Sequence, residues 1–99
     1  MIRIGVDLGG TKIEALALDQ EGRELERKRV PTPRGEYQGT IKTIVELVRF
    51  LEEKTGEQGT VGIGIPGTLS PKTGLVKNAN STWLNEKPFH LDMMQALSR

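Results

Sequence analysis

Ninety-nine residues, 35 % hydrophobic and 27 % charged, make one ordinary globular domain at most. A formal net charge of +1 gives no long-range pull towards nucleic acid or an anionic membrane, and the lack of cysteine excludes a disulfide framework or thiolate metal site in this stretch. No apolar run approaches a membrane span, and Asp7, Gly9 and Gly10 leave no apolar core for a signal peptide, so a cytoplasmic location is expected.

Ile2, Ile4, Val6 and Leu8 alternate with Arg3, Gly5, Asp7 and Gly9, the period-two pattern of a strand with one face in a core. Gly9-Gly10 turns the chain into a second strand, Lys12 to Leu18, and Asp19-Gln20-Glu21-Gly22 turns it again. A third strand, Arg23 to Val30, alternates weakly and carries more charge, as suits a sheet edge. The three strands read as an antiparallel meander that Pro31 and Pro33 break. Arg27-Lys28-Arg29, flanked by Glu24 and Glu26, reads as a solvated strand edge rather than a nucleic-acid patch.

The spacing of Ile41, Ile44, Val45, Val48 and Leu51 predicts a helix from about Glu36 to Thr55, with Glu52, Glu53 and Lys54 outside and Gly56 as its left-handed stop. A fourth strand, Thr60 to Ile65, is reached through this crossover and is expected to pair parallel. Ser70-Pro71-Lys72-Thr73-Gly74 predicts a turn or small hairpin. Leu91, Met94 and Leu97 mark a final amphipathic helix. Asp92 reads as its N-cap, His90 as solvated or capping, and Met93 and Met94 as gap-fillers.

Asp7-Leu8-Gly9-Gly10-Thr11-Lys12 carries the most chemistry. Adjacent glycines let backbone approach a ligand, turn N–H groups and the Thr11 hydroxyl can donate to phosphate oxygens, and Lys12 supplies positive charge. Asp7, at the strand end, can hold a hydrated Mg²⁺, which binds through few carboxylates plus phosphate. A hairpin turn without a ligand is the plain alternative. The segment is not a P-loop, because Lys12 follows Thr11 and a strand, not a helix, comes next. Gly62-Ile63-Gly64-Ile65-Pro66-Gly67 matches the dinucleotide fingerprint in letters only, since Pro66 and the Ser70-Pro71 turn stand where a helix should open.

The run Gly5 to Lys12 resembles the first phosphate motif of the sugar kinase, actin and Hsp70 superfamily, and its Gly-Gly-Thr-Lys form is similar to the ROK branch of repressors, kinases and unassigned reading frames. Val61 to Gly67 and Lys77 to Asn85 sit where that family has its glycine-proline strand end and its Asn/Trp segment. Together with Pro31-Thr32-Pro33-Arg34 they resemble the bacterial fructokinase or manno(fructo)kinase type. The resemblance implies an α/β fold, the N-terminal lobe of an actin-like (ribonuclease H-like) ATPase: a mixed sheet with an antiparallel three-strand meander and a crossover helix. Residues 1–99 would form an incomplete lobe, with a phosphate turn at 5–12 and a sugar-side segment at 64–85.

The same resemblance implies that Asp7, Gly9, Gly10, Thr11 and Lys12 bind ATP, with Asp7 linked to Mg²⁺, and that Gly67, Asn78, Asn80 and Trp83 line the sugar pocket. Asn78, Asn80 and Asn85 equally suit local turn stabilisation, and Trp83 suits a core anchor. The family's catalytic aspartate follows a further strand, and its His/Cys zinc motif lies later still. No catalytic residue is therefore expected in these ninety-nine residues, which alone are expected to be inactive. Three functions compete: the N-terminal part of an ATP-dependent hexose kinase acting on fructose or a related sugar, a sugar-responsive repressor, and a non-catalytic sugar or nucleotide module. The kinase reading is preferred, because a repressor should carry a helix-turn-helix ahead of the strand that here begins at Ile2. Sugar and ATP are the expected partners, without nucleic acid or membrane, and a homodimer is expected for the full-length protein.

Overall fold

The computed structural model describes residues 1–64, 68–69, 76–77 and 87–98. Strands β1 (Ile2–Leu8), β2 (Lys12–Leu18) and β3 (Glu24–Pro31) form the expected meander, helix α1 (Tyr37–Thr55) crosses over, and β4 (Gly59–Gly64) returns to the sheet. The order is β3-β2-β1-β4, with β1 antiparallel to β2 and parallel to β4. Short strands β5 (Thr68–Leu69) and β6 (Val76–Lys77) pair as the small hairpin predicted around Ser70–Gly74, and α2 (Phe89–Leu97) follows.

One face of the sheet makes the core. Ile2, Ile4, Val6 and Leu8 of β1 and Ile13, Ala15 and Ala17 of β2 are buried beneath α1. The two alanines keep the middle of β2 low, so Ile44, Val48 and Leu51 of α1 come down onto the sheet, and each is completely buried. All five residues that predicted the helix face are buried, and Leu47 joins them. Gly56 ends α1 at φ 74°, in the left-handed region, with its N–H donating to the Glu52 carbonyl. Glu52 is not simply outside, because its carboxylate accepts the Gly59 N–H at 2.9 Å and ties the helix end to the start of β4.

The meander is not broken at Pro31. The Thr32 N–H donates to the Thr11 carbonyl at 3.0 Å, which places the preceding residue's missing N–H on the outer side of β3, where the sheet ends. Pro31 therefore pairs with Lys12 as the last residue of the strand. The basic run divides between the two faces. Arg27 and Arg29 pair with Glu14, Arg27 also pairs with Glu24, and the Lys28 ammonium lies over the Phe50 ring, 4.1 Å from its centre.

The second helix differs most from expectation. It starts at Phe89, and its buried residues are Phe89 and Met93, whereas Leu91 and Met94 are more than half exposed. Apolar side chains at 89, 91, 93, 94, 96 and 97 nearly encircle this nine-residue helix, so spacing alone did not select the packed face. Asp92 is not the N-cap, the position Pro88 takes. It accepts a hydrogen bond from the Tyr37 hydroxyl and so ties α2 to the first turn of α1. Burial, and then this bond to Asp92, raise the Tyr37 pKa. The Phe89 ring meets Tyr37 edge-on at 6.5 Å.

No helix among the described residues is long and apolar enough to cross a membrane.

Candidate functional site

The sheet brings Asp7 to the end of β1 and turns the chain sharply at Gly9–Lys12. Because Ile2, Ile4, Val6 and Leu8 occupy the core face, Asp7 necessarily projects from the other face, where it is exposed. The turn is closed by the Gly9 N–H, which donates to the Lys12 carbonyl at 3.0 Å. Gly9 and Gly10 are half-buried, while Thr11 and Lys12 are exposed. The sequence-predicted set Asp7, Gly9, Gly10, Thr11 and Lys12 thus lies together at one end of one strand pair.

Glycine at position 9 is a requirement of space. A Cβ built there would sit 2.8 Å from the Lys12 carbonyl oxygen, closer than real Cβ atoms come. The obstacle is backbone, so no side-chain rotation relieves it. The positive-φ glycines among the described residues are 22, 35 and 56, so a left-handed backbone is not the reason here.

A residue outside the predicted set braces the turn. Thr32, 7 % exposed, donates its hydroxyl to the Gly9 carbonyl at 2.9 Å and its N–H to the Thr11 carbonyl at 3.0 Å. Its partners lie 23 and 21 residues earlier in the chain. The only trace in the sequence is its place between Pro31 and Pro33, which restrict the backbone on either side.

Across the sheet from Asp7, in direct register, stands Glu14. Two carboxylates in that relation repel, but Glu14 is engaged elsewhere. Arg29 reaches it at 2.7 Å, and Arg27 bonds to its other oxygen. The Arg29 hydrogen bond, reinforced by the charges of Arg27 and Arg29, holds the Glu14 carboxyl below the usual carboxylate range. Glu14 is thereby compensated on its β3 side, and Asp7 supplies the negative charge beside the turn, with Lys12 exposed within it.

This arrangement suits an anion held by backbone donors with a cation beside it. Glycine at position 9 lets the turn close tightly on its own Lys12 carbonyl, and in such a turn backbone N–H groups can meet an anion. Magnesium typically keeps several waters and binds through one or two protein carboxylates plus phosphate oxygens. An exposed Asp7 beside the turn fits that demand, and the lack of any cluster of three or more potential ligands among the described residues does not conflict with it. Gly67, Asn78, Asn80 and Trp83 lie outside the described residues.

An apolar cavity of about 610 Å³ lies elsewhere. It is an apolar groove between β4 and α2, lined by Val61, Ile63, Phe89 and Met93, and no residue from Asp7 to Lys12 borders it.

The dinucleotide fingerprint fails on geometry as well as on sequence. Gly62 and Gly64 lie inside β4, and the next described residues, Thr68–Leu69, are again a strand rather than a helix.

Comparison with known proteins agrees with this fold. The chain matches the family model described as ROK family over residues 3–99. It is 43 % identical over 95 residues to an N-acetyl-D-glucosamine kinase of Haemophilus influenzae (strain 86-028NP), covering 96 % of this chain and 31 % of that protein. It superposes on a ROK hexokinase from Thermus thermophilus with a TM-score of 0.83 at 31 % identity, covering 100 % of this chain and 33 % of the other. A ROK family glucokinase from Streptomyces griseus, in complex with glucose and AMPPNP, gives a TM-score of 0.81 at 33 % identity over 99 % of this chain and 31 % of that one. The chain spans about a third of the length of the relatives it matches, and its architecture is the expected actin-like ATPase lobe. With the family model matched from residue 3 to residue 99, this chain belongs to the ROK family.

Proposed function

We propose that this chain is the phosphate-binding part of an ATP-dependent sugar kinase, in which Asp7, Gly9, Gly10, Thr11 and Lys12 hold the nucleotide phosphates. The observation that carries this reading is the closed glycine turn beside an exposed Asp7, in a chain of the ROK family. Backbone and hydroxyl donors of the turn bind phosphate oxygens, Lys12 offsets their charge, and Asp7 holds the hydrated magnesium. Bound magnesium neutralises charge on the phosphates. The turn supplies position and electrostatics, and the base that takes the sugar's proton comes from outside these ninety-nine residues. Gly67, Asn78, Asn80 and Trp83 are proposed to face the sugar, and the full-length protein is proposed to act in the cytoplasm as a homodimer.

The acceptor is proposed to be a hexose or hexose derivative. N-acetyl-D-glucosamine is favoured by the 43 % identical relative of that name. Fructose is the second reading, supported by the resemblance of Pro31-Thr32-Pro33-Arg34 to fructokinases. The three relatives described, all at 31 % identity or above, are kinases by name, which supports the enzyme reading over a repressor. Full-length protein with Mg-ATP should form ADP and a sugar phosphate in equal amounts on a panel of N-acetyl-D-glucosamine, glucose, mannose and fructose. Turnover of N-acetyl-D-glucosamine at a kcat/KM at least tenfold above fructose supports the first acceptor, and the reverse order supports the second. No turnover on any sugar, together with specific operator binding, would replace the kinase reading with a regulator.

A further inference from the structure

Thr32 touches the candidate phosphate turn at two points, and the chemistry of the peptide group gives those contacts a consequence. Its hydroxyl holds the Gly9 carbonyl at 2.9 Å and its N–H holds the Thr11 carbonyl at 3.0 Å. In a trans peptide the C=O and the following N–H point in opposite directions, and no peptide bond among the described residues is cis. Drawing the Gly9 oxygen towards Thr32 therefore turns the Gly10 N–H away from it. Drawing the Thr11 oxygen the same way turns the Lys12 N–H away as well. The Gly9 N–H is already spent on the Lys12 carbonyl. One side chain and one amide thus set the Gly9–Gly10 and Thr11–Lys12 peptide planes, and turn the Gly10 and Lys12 amides away from Thr32.

We propose that Thr32 is a positioning residue for nucleotide phosphate: it fixes the peptide planes of the Gly9–Lys12 turn so that the Gly10 and Lys12 amides, rather than that of Gly9, are presented to the phosphate oxygens. The inference rests on reading the turn as the nucleotide site. Three features make the brace rigid. Thr32 is 7 % exposed, so water competes weakly for its bonds. Pro31 and Pro33 restrict the backbone around it. β3 is bonded along its length to β2, so the brace is anchored in the sheet. A turn whose donors are oriented before the ligand arrives avoids the reorganisation that a flexible glycine pair would need.

The test uses the full-length protein with its best sugar, and compares Thr32→Val, Thr32→Ser and Thr32→Ala. Valine keeps the branched shape and the backbone N–H but loses the hydroxyl, leaving the Gly9 carbonyl without its partner. Thr32→Val should raise the KM for Mg-ATP about tenfold, the effect of one lost buried hydrogen bond on ligand placement, with the KM for sugar unchanged within about twofold. Thr32→Ser should return the KM for Mg-ATP to within about twofold of wild type, because it restores the hydroxyl. If Thr32→Val does not fold, the contrast between Thr32→Ala and Thr32→Ser carries the same information. A merely structural role would lower the melting temperature of Thr32→Val while leaving both KM values in place, or move them together, and either result overturns the proposal. Direct binding of AMPPNP separates the two layers: no binding to the wild type removes the nucleotide-site reading itself, whereas equal binding to wild type and Thr32→Val removes only the role of Thr32.

Discussion

Gly9→Ala in the full-length protein is expected to lower kcat/KM for Mg-ATP by ~100-fold or more, the scale seen when a preorganised donor set is disrupted. The added methyl would stand 2.8 Å from the Lys12 carbonyl oxygen, which is itself the acceptor for the Gly9 N–H. The methyl cannot swing away, and the carbonyl cannot move without opening the turn. Opening it also disturbs the Gly9 carbonyl held by Thr32, so one methyl displaces the donor set from two sides. The loss should fall mainly on nucleotide use. The KM for sugar should stay within about threefold, and the melting temperature should fall by only a few degrees, since the turn lies at the edge of the core. Steady-state kinetics with each substrate varied in turn, alongside a thermal melt, makes this check. A Gly9→Ala enzyme with wild-type kcat/KM for ATP would mean that the turn does not carry phosphate.

The second large effect is on stability rather than turnover. Ile44→Ala should destabilise the protein by about 3 kcal/mol, the middle of the range for removing a fully buried aliphatic side chain. Ile44 is completely buried, in the middle of α1 against the sheet. The cost therefore includes both lost transfer energy and a residual cavity. Denaturant melts of the full-length protein should show a lower midpoint with an unchanged slope. Met94→Ala, by contrast, alters a residue 54 % exposed among the described residues.

Much of this fold is legible in the residues because local pattern and tertiary need agree. The alternation of Ile2, Ile4, Val6 and Leu8 reports a strand buried on one face. The helical spacing from Ile41 to Leu51 and the stop at Gly56 report a crossover helix, which favours the parallel pairing of β4 that the sheet shows. The tight turn at Gly9–Lys12 is legible for the same reason, since adjacent glycines between two alternating runs are a local signal. What was not legible depends on distant partners. Thr32 looks like a residue in a proline-rich break until the sheet carries it to Gly9, 23 residues earlier. Asp92 has the letter of a helix cap, and only the packing of α2 on α1 shows that it accepts from Tyr37 instead. The face of α2 expected from Leu91, Met94 and Leu97 holds at Leu97, which packs partly buried against the core, and fails at Leu91 and Met94, because apolar groups nearly encircle this nine-residue helix.

A crystal structure of the full-length protein with magnesium and AMPPNP tests the central claim most directly. The phosphates should lie against the Gly9–Lys12 turn, accepting from the Gly10 and Lys12 amides and the Thr11 hydroxyl, with the magnesium shell reaching Asp7. Phosphates bound away from this turn, with Asp7 remote from the metal, would contradict the account.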